Sequence, residues 1–193
     1  MSDTNSSHPD PVLTVRPYRM DDADCLPPLW RDHIDDLRLL VNTELNGLIS
    51  AHTLRDYCLR ARHDFLAGSR FLFNIVNSAS DCSAGEIRIQ ALSGTAGAWE
   101  VGFWLARRYR GQRLMRPLLL EVFATVFRLP SVRRVYWRCR PDDFASQALA
   151  LHCGFTRTTN SDLPDAPFTS DVLADAGLLQ QPLFVYHRVT NTA

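Results

Sequence analysis

The sequence predicts a single α/β (α+β) domain whose central sheet is mixed, mostly antiparallel and flanked by helices. Three observations predict it: β-rich runs crowd residues 71–106, strand, helix, strand and helix then alternate up to Gly154, and short turns separate the segments. Strands that follow one another through tight turns pair antiparallel, whereas a strand–helix–strand unit needs a parallel crossover. Together they give a mixed sheet covered by helices.

Val12 to Tyr18 alternates as an edge strand does, with Pro17 tolerable near its end. Met20-Asp21-Asp22 supplies an acidic helix start, and the pattern predicts a helix from Asp21 to Leu40, interrupted at Pro27-Pro28. Leu54, Tyr57, Cys58, Ala61 and Phe65 fall at helical spacing, so a second helix is expected over Thr53 to Leu66, stopped by Gly68. Phe71 to Val76 is a short apolar strand. Gly85 to Ala91 sets Ile87 and Ile89 against Glu86, Arg88 and Gln90, and Ser93 to Gly97 turns the chain into a strand over Trp99 to Ala106. Beyond it we expect a helix over Leu114 to Phe127, a strand over Val132 to Arg140 and a helix over Asp143 to His152. The Pro-containing stretch Asn160 to Gln181 carries a short helix at Ser170 to Ala176, and Leu183 to Val189 returns as a closing strand.

With 46% hydrophobic and 22% charged residues, the chain has enough apolar surface for one proper core. Only Met1 to Pro11, rich in Ser, Asp, Asn and Pro, reads as a disordered tail, which leaves residues 12–193 as one domain. The formal net charge is zero, so nothing in the overall balance steers the protein toward nucleic acid or an anionic membrane. No signal-peptide core and no run near ~18 apolar residues is present, and the expected location is the cytoplasm. The five cysteines are widely spaced and never in a C-x-x-C pair, which argues against a metal site and against a disulfide framework. All twenty-one basic residues are arginine. A GC-rich coding sequence explains that blandly; the sharper explanation is that the protein gains by carrying no side-chain amine.

The most informative segment runs from Glu100 to Arg116. A β-rich strand passes through Arg107, Arg108, Arg110, Gly111 and Arg113 directly into a helix beginning at Leu114-Met115. The free N–H groups and positive dipole end of a helix N-terminus favour an anion, and arginine adds charge-assisted bonds. Gly111 lets backbone approach closely, so a pyrophosphate suits this junction. The bland reading is a solvated basic turn.

Here the sequence resembles the GNAT acetyltransferases. Arg108-Tyr-Arg-Gly111-Gln112-Arg113 resembles their Arg/Gln-x-x-Gly-x-Gly/Ala motif with its last position changed to Arg113. Trp99-Glu-Val-Gly-Phe-Trp-Leu105 is similar to the Gly-Tyr-Trp-Leu strand of the RimJ/RimL type, the ribosomal-protein N-terminal acetyltransferases. Pro141-Asp-Asp-Phe-Ala-Ser146, followed by Cys153-Gly-Phe155, resembles that type's Asn-x-x-Ser segment and Gly-Phe ending. Val15-Arg-Pro17 and Asp21-Asp22-Ala23 match its opening strand and helix. The likeness spans Val12 to about Thr158. It implies a GNAT fold with acetyl-coenzyme A as cofactor, held by Arg108, Arg110, Gly111, Gln112, Arg113, Leu114 and Met115 at the phosphates. Splayed strands would expose the backbone of Phe103, Trp104 and Leu105 to the pantetheine arm. Asp143, where the family has asparagine, replaces an amide contact with a charge.

The implied chemistry is direct attack of an amine on the acetyl thioester. Glu100 is the expected base, because the resemblance implies a carboxylate on this strand near the acetyl group and burial makes a glutamate a better proton acceptor near neutral pH. Its bland reading is the polar face of an alternating strand; Glu86 is the second candidate. Many enzymes of the family use a tyrosine on the last helix as the acid; none lies between Asp142 and Phe155, and the RimL-like resemblance implies Ser146 instead, against the alternative of a helix cap. His33, His52, His63, His152 and His187 lack ligand-like pairing and are expected at the surface or in caps. Arg134, Arg138 and Arg140 are expected to face solvent, and Cys153 to be a small core residue. The favoured acceptor is a protein or peptide N-terminal α-amine. A small amine is the runner-up, and a GNAT fold kept as a binding or regulatory module is the reading from another class, motivated by Arg113, Asp143 and the missing tyrosine. Monomer and homodimer are equally compatible.

Overall fold

The structure, a computed structural model, describes residues 12–33, 51–92, 94–158 and 184–189. The expected tail at residues 1–11, the helix expected over residues 34–40 and the short helix at Ser170 to Ala176 lie outside the described residues.

The chain opens with β1 (Leu13–Pro17), α1 (Asp22–Asp32) and α2 (Ala51–Ala67), then forms the run β2 (Arg70–Asn77), β3 (Cys82–Ala91) and β4 (Ala98–Leu105). A 3₁₀ turn at Arg107–Tyr109 leads into α3 (Met115–Val126), followed by β5 (Arg134–Cys139), α4 (Phe144–His152), β6 (Thr156–Arg157) and β7 (Phe184–Val189). The strands form one sheet in the order β1-β2-β3-β4-β5-β7-β6. Every neighbouring pair is antiparallel except β4 with β5, which is parallel and carries α3 as its crossover. The mixed sheet that the sequence predicts is therefore the observed one.

One expectation about the helices needs correction: α1 is continuous through Pro27 and Pro28. Each proline removes one backbone N–H from the ladder. Packing offsets the loss, because Ala23, Leu26, Leu29 and Trp30 are all buried on one side. The predicted stop of α2 is observed, with Gly68 at φ +67°, a conformation most side chains resist.

Side chains alternate across the sheet and divide the core in two. On one face Phe103 packs edge-on to Trp137 at 4.8 Å, Trp137 meets Phe155 at 5.4 Å and Phe155 meets Phe123 of α3 at 5.3 Å. Cross-strand register places Glu86 beside Trp104, Arg88 beside Gly102 and Gln90 beside Glu100 on the other face, with Tyr136 continuing the row on β5. That face is covered by α1 and α2, whose Trp30 and Tyr57 rings stack edge-on at 4.9 Å. Gly85 is required where β3 meets β4: a Cβ there would stand 2.4 Å from the Trp104 carbonyl oxygen.

Candidate active site

The site begins where β4 and β5 part. Their parallel pairing runs from Ala98–Arg134 to Val101–Trp137 and stops. The Ala106 N–H bonds the Ala84 carbonyl at 2.8 Å and the Leu92 N–H bonds the Ala98 carbonyl at 2.9 Å. Even-numbered residues of β4 therefore bond to β3, and odd-numbered ones turn their N–H and C=O toward β5. Beyond Val101 this leaves Phe103 and Leu105 facing the gap. Two corrections follow for the expected cradle of Phe103, Trp104 and Leu105. Trp104 pairs with Glu86 of β3, away from the gap, and the Leu105 carbonyl accepts a 2.6 Å bond from Arg110 Nε. Phe103 keeps the expected orientation.

At the end of β4 the chain passes through the 3₁₀ turn into the anion loop. Gly111 has φ +76° with open space where a Cβ would be, and Arg113 has φ +59°. The last motif position thus takes a left-handed conformation, which explains why a small residue is the usual occupant and assigns Arg113 a cost of about 1–2 kcal/mol. The Arg113 side chain is exposed and turned away from the core, as are Arg108, Arg110 and Gln112. Gln112 Nε2 donates to the Arg108 carbonyl at 2.7 Å, which folds the loop on itself. Leu114, at the N-cap of α3, makes no side-chain cap, so the first-turn N–H groups that follow Met115 have no capping side chain. An anionic pyrophosphate fits these donors and the surrounding charge.

Ser146 lies on the first turn of α4. Its expected alternative role as a cap is taken by Asp143, whose Oδ1 accepts from the Ser146 N–H at 2.9 Å. Ser146 Oγ accepts from Trp137 Nε1 at 2.9 Å. A hydroxyl that accepts there keeps its own hydrogen to donate. Cys139 at the end of β5 neighbours that hydroxyl; burial pushes its thiol up, and the Ser146 bond opposes the rise. The position that the sequence resemblance assigns to cofactor contact is thus occupied by a carboxylate engaged in capping a helix.

Glu100 is 7% exposed and forms an ion pair with Arg138 Nε through Oε1. Oε2 is buried with no hydrogen-bond partner among the described residues. Arg138 follows Trp137 directly, so the pair bridges the two strands where their pairing ends, with Glu100 on the last rung but one and Arg138 just past the last. This corrects two expectations. Glu100 is not an ordinary polar-face residue tuned by burial alone, and Arg138, with a side chain 12% exposed, does not face solvent. Arg140 does, bonded to Asp142 at 2.7 Å and 2.9 Å. Glu86, the second candidate, is held elsewhere: its Oε2 accepts from Tyr18 at 2.8 Å and from Tyr57 at 2.5 Å. Burial first, and the Glu86 charge second, push both phenols well above their ordinary range. His33 occupies the C-cap of α1, but buried, its ring 5.8 Å from Trp104. Arg138, Trp137 and His33 carry no sequence motif; only the strand register brings the first two to Glu100 and Ser146. Among the described residues no cluster of His, Cys, Asp or Glu is suited to a metal.

A basic loop at a helix N-terminus, a forked pair of strands and a buried carboxylate near the fork are the features that an acyl-group transferase would need here. The model of the acetyltransferase (GNAT) domain matches residues 13–156, most of the chain, and the protein belongs to the GNAT acetyltransferase family. No curated protein matches it in sequence. Among solved structures it is similar to the ribosomal-protein-S5-alanine acetyltransferase of Vibrio fischeri, at 14% identity and a TM-score of 0.73 over 93% of this chain and 94% of that one. It is similar also to RimL, the ribosomal L7/L12 α-N-protein acetyltransferase in complex with coenzyme A, at 18% identity and a TM-score of 0.70 over 94% and 96%. The microcin C7 self-immunity acetyltransferase MccE, in complex with acetyl-coenzyme A and AMP, follows at 15% identity and 0.68 over 94% and 93%. At these identities the likeness is one of fold. Among the described residues no helix is long and apolar enough to cross a membrane.

Proposed function

We propose that the protein transfers the acetyl group of acetyl-coenzyme A to a primary amine, and that the amine is the N-terminal α-amine of a protein or peptide. The observation that carries this reading is the fork beyond Val101 and Trp137, with the open Glu100 Oε2 beside it. When bound, acetyl-coenzyme A supplies an activated thioester. The first-turn N–H groups of α3, with Arg108 and Arg113 around them, suit its pyrophosphate, and the Phe103 backbone suits its pantetheine arm. Glu100 Oε2 receives a proton from the amine, directly or through a water, while Arg138 holds the carboxylate in place. Ser146, oriented by Trp137, holds the hydrogen that it can give to a leaving group. The protein acceptor is favoured because two of the similar folds named above belong to enzymes of ribosomal proteins.

Full-length protein is titrated calorimetrically with acetyl-coenzyme A, then assayed by mass spectrometry on peptides with a free N-terminus, the same peptides blocked at the N-terminus but carrying lysine, and small polyamines. We expect micromolar binding and one acetyl group on the free N-terminus only. Acetylation confined to polyamines or lysine side chains refutes the acceptor; absence of binding refutes the transferase reading for this chain.

A further inference from the structure

The sequence argues against a disulfide framework; Cys58, Cys139 and Cys153 are buried. Cys25 and Cys82 are different. They are 57 residues apart in sequence, on α1 and at the first residue of β3, yet their Sγ atoms stand 2.8 Å apart. Both are partly exposed, so a small solute can reach them.

The placement is built from more than one contact. Arg16 of β1 holds Asp22 of α1 through two bonds of 2.8 Å and 2.7 Å, and reaches Asp81 at 3.2 Å. Asp22 lies one helical turn before Cys25, and Asp81 directly precedes Cys82. One arginine thus ties together the two segments that carry the sulfurs. Asp81 takes φ +50°, outside the comfortable range of an L side chain, and this turn aims the next residue at α1. Burial alone works against the Asp22 charge, yet its bonds to Arg16 and the Arg19 N–H leave the carboxyl below its ordinary range.

From this geometry we infer that Cys25 and Cys82 are a redox modification site, closed to an intramolecular disulfide by a hydroperoxide. The sulfurs need to approach by less than 1 Å to reach the ~2.05 Å of a disulfide bond. One sulfur attacks the peroxide O–O bond and becomes a sulfenic acid, releasing one water; the other sulfur displaces the second water. Two thiols and one hydrogen peroxide give one disulfide and two waters, with two electrons passing from sulfur to peroxide oxygen. The bond to Cys82, with partial burial, pushes the Cys25 thiol up to about 11. The bridge fastens α1, whose Trp30 packs on Tyr57, to the strand that carries Glu86. It is independent of the transferase reading.

The test uses the reduced full-length protein, hydrogen peroxide as oxidant, and tryptic mapping without reductant. Trypsin cuts at Arg19, Arg31, Arg70 and Arg88, so Cys25 and Cys82 fall on separate peptides, 20–31 and 71–88, each with a single cysteine. We expect those two peptides to be crosslinked at low peroxide excess, dithiothreitol to reverse the link, and oxidation to raise the Tm by about 5–10 °C. In Cys25→Ser the crosslink is lost and Cys82 is trapped as sulfenic acid by a dimedone probe. Both peptides oxidised to sulfinic or sulfonic acid without a crosslink overturn the proposal, as do crosslinks spread equally over the other cysteines.

Discussion

Glu86 and Glu100 stand on adjacent strands of one sheet face, at 3% and 7% exposure, but different kinds of group answer their charges. Glu86 is closed off. Two phenols from separate segments donate to one oxygen, Oε2. Glu100 is matched by a full positive charge on Oε1, and its buried Oε2 has no hydrogen-bond partner among the described residues, near the place where two strands diverge. A buried carboxylate that takes two phenol hydrogens holds neighbouring segments to a sheet; one with an unpartnered oxygen near a gap can accept a proton. The difference lies in their neighbours and not in depth.

Replacing each of the two side chains in turn tests that distinction most severely. Glu100→Gln keeps an acceptor for Arg138, so we expect a stability loss of only about 1–2 kcal/mol. We expect kcat/KM for the best amine to fall about 10²- to 10⁴-fold. Glu86→Ala leaves two buried phenols unanswered and should cost about 2–5 kcal/mol, with kcat/KM per folded molecule within about threefold of wild type. Denaturant unfolding and initial rates on both variants check this. If Glu86 loses the rate and Glu100 does not, the base is assigned to the wrong strand.

The second way to sharpen the comparison is pH. Tyr18 and Tyr57 have phenols raised in the folded state, first by burial and then by Glu86. A raised folded value means that the unfolded chain loses its protons first as pH rises through about 10. Stability is therefore full below about pH 10 and should fall above it, by up to about 1.4 kcal/mol per pH unit for each tyrosine. Tyr57→Phe should remove one tyrosine's share of that slope. Unfolding in denaturant at stepped alkaline pH reads it. A slope equal in wild type and variant would mean that the Glu86 cluster does not hold in solution.

What was legible in the sequence follows the distance over which the chain must act. Strand, loop, Gly111 and helix lie within one short segment, and each signals its own conformation through local chemistry, so the anion loop and the parallel crossover can be read directly. The fork is less direct: the order of strands implies it, but the inward turn of Phe103 and the loss of Leu105 to Arg110 depend on hydrogen-bond parity. The partners of the two glutamates were invisible for a different reason. Arg138 meets Glu100 across 38 residues, and Tyr57 and Tyr18 reach Glu86 across 29 and 68. Nothing local marks Arg138 as an inward residue, since strand alternation allows either face until the parallel register is known. Prolines misled in the opposite direction, because a local helix-breaking rule at Pro27-Pro28 was overridden by the apolar side that α1 buries.

Arg113 gives the smallest expected effect, and it bears on the cofactor side of the molecule. Its φ of +59° sits two residues after Gly111 at +76°, so two left-handed residues shape the loop and only one of them is a glycine. Arg113→Gly should relieve about 1–2 kcal/mol of backbone strain and add about 0.5–1 kcal/mol of unfolded-chain entropy to be lost on folding. The net is a gain near 0.5–1 kcal/mol, or about 1–4 °C in Tm. The side chain is exposed and the substitution keeps the N–H, so the Kd for acetyl-coenzyme A should stay within about threefold of wild type. Tightening beyond about tenfold would show that the guanidinium crowds the phosphates. Weakening by the same amount would show that it binds them, and that the strained conformation is retained for the charge it delivers.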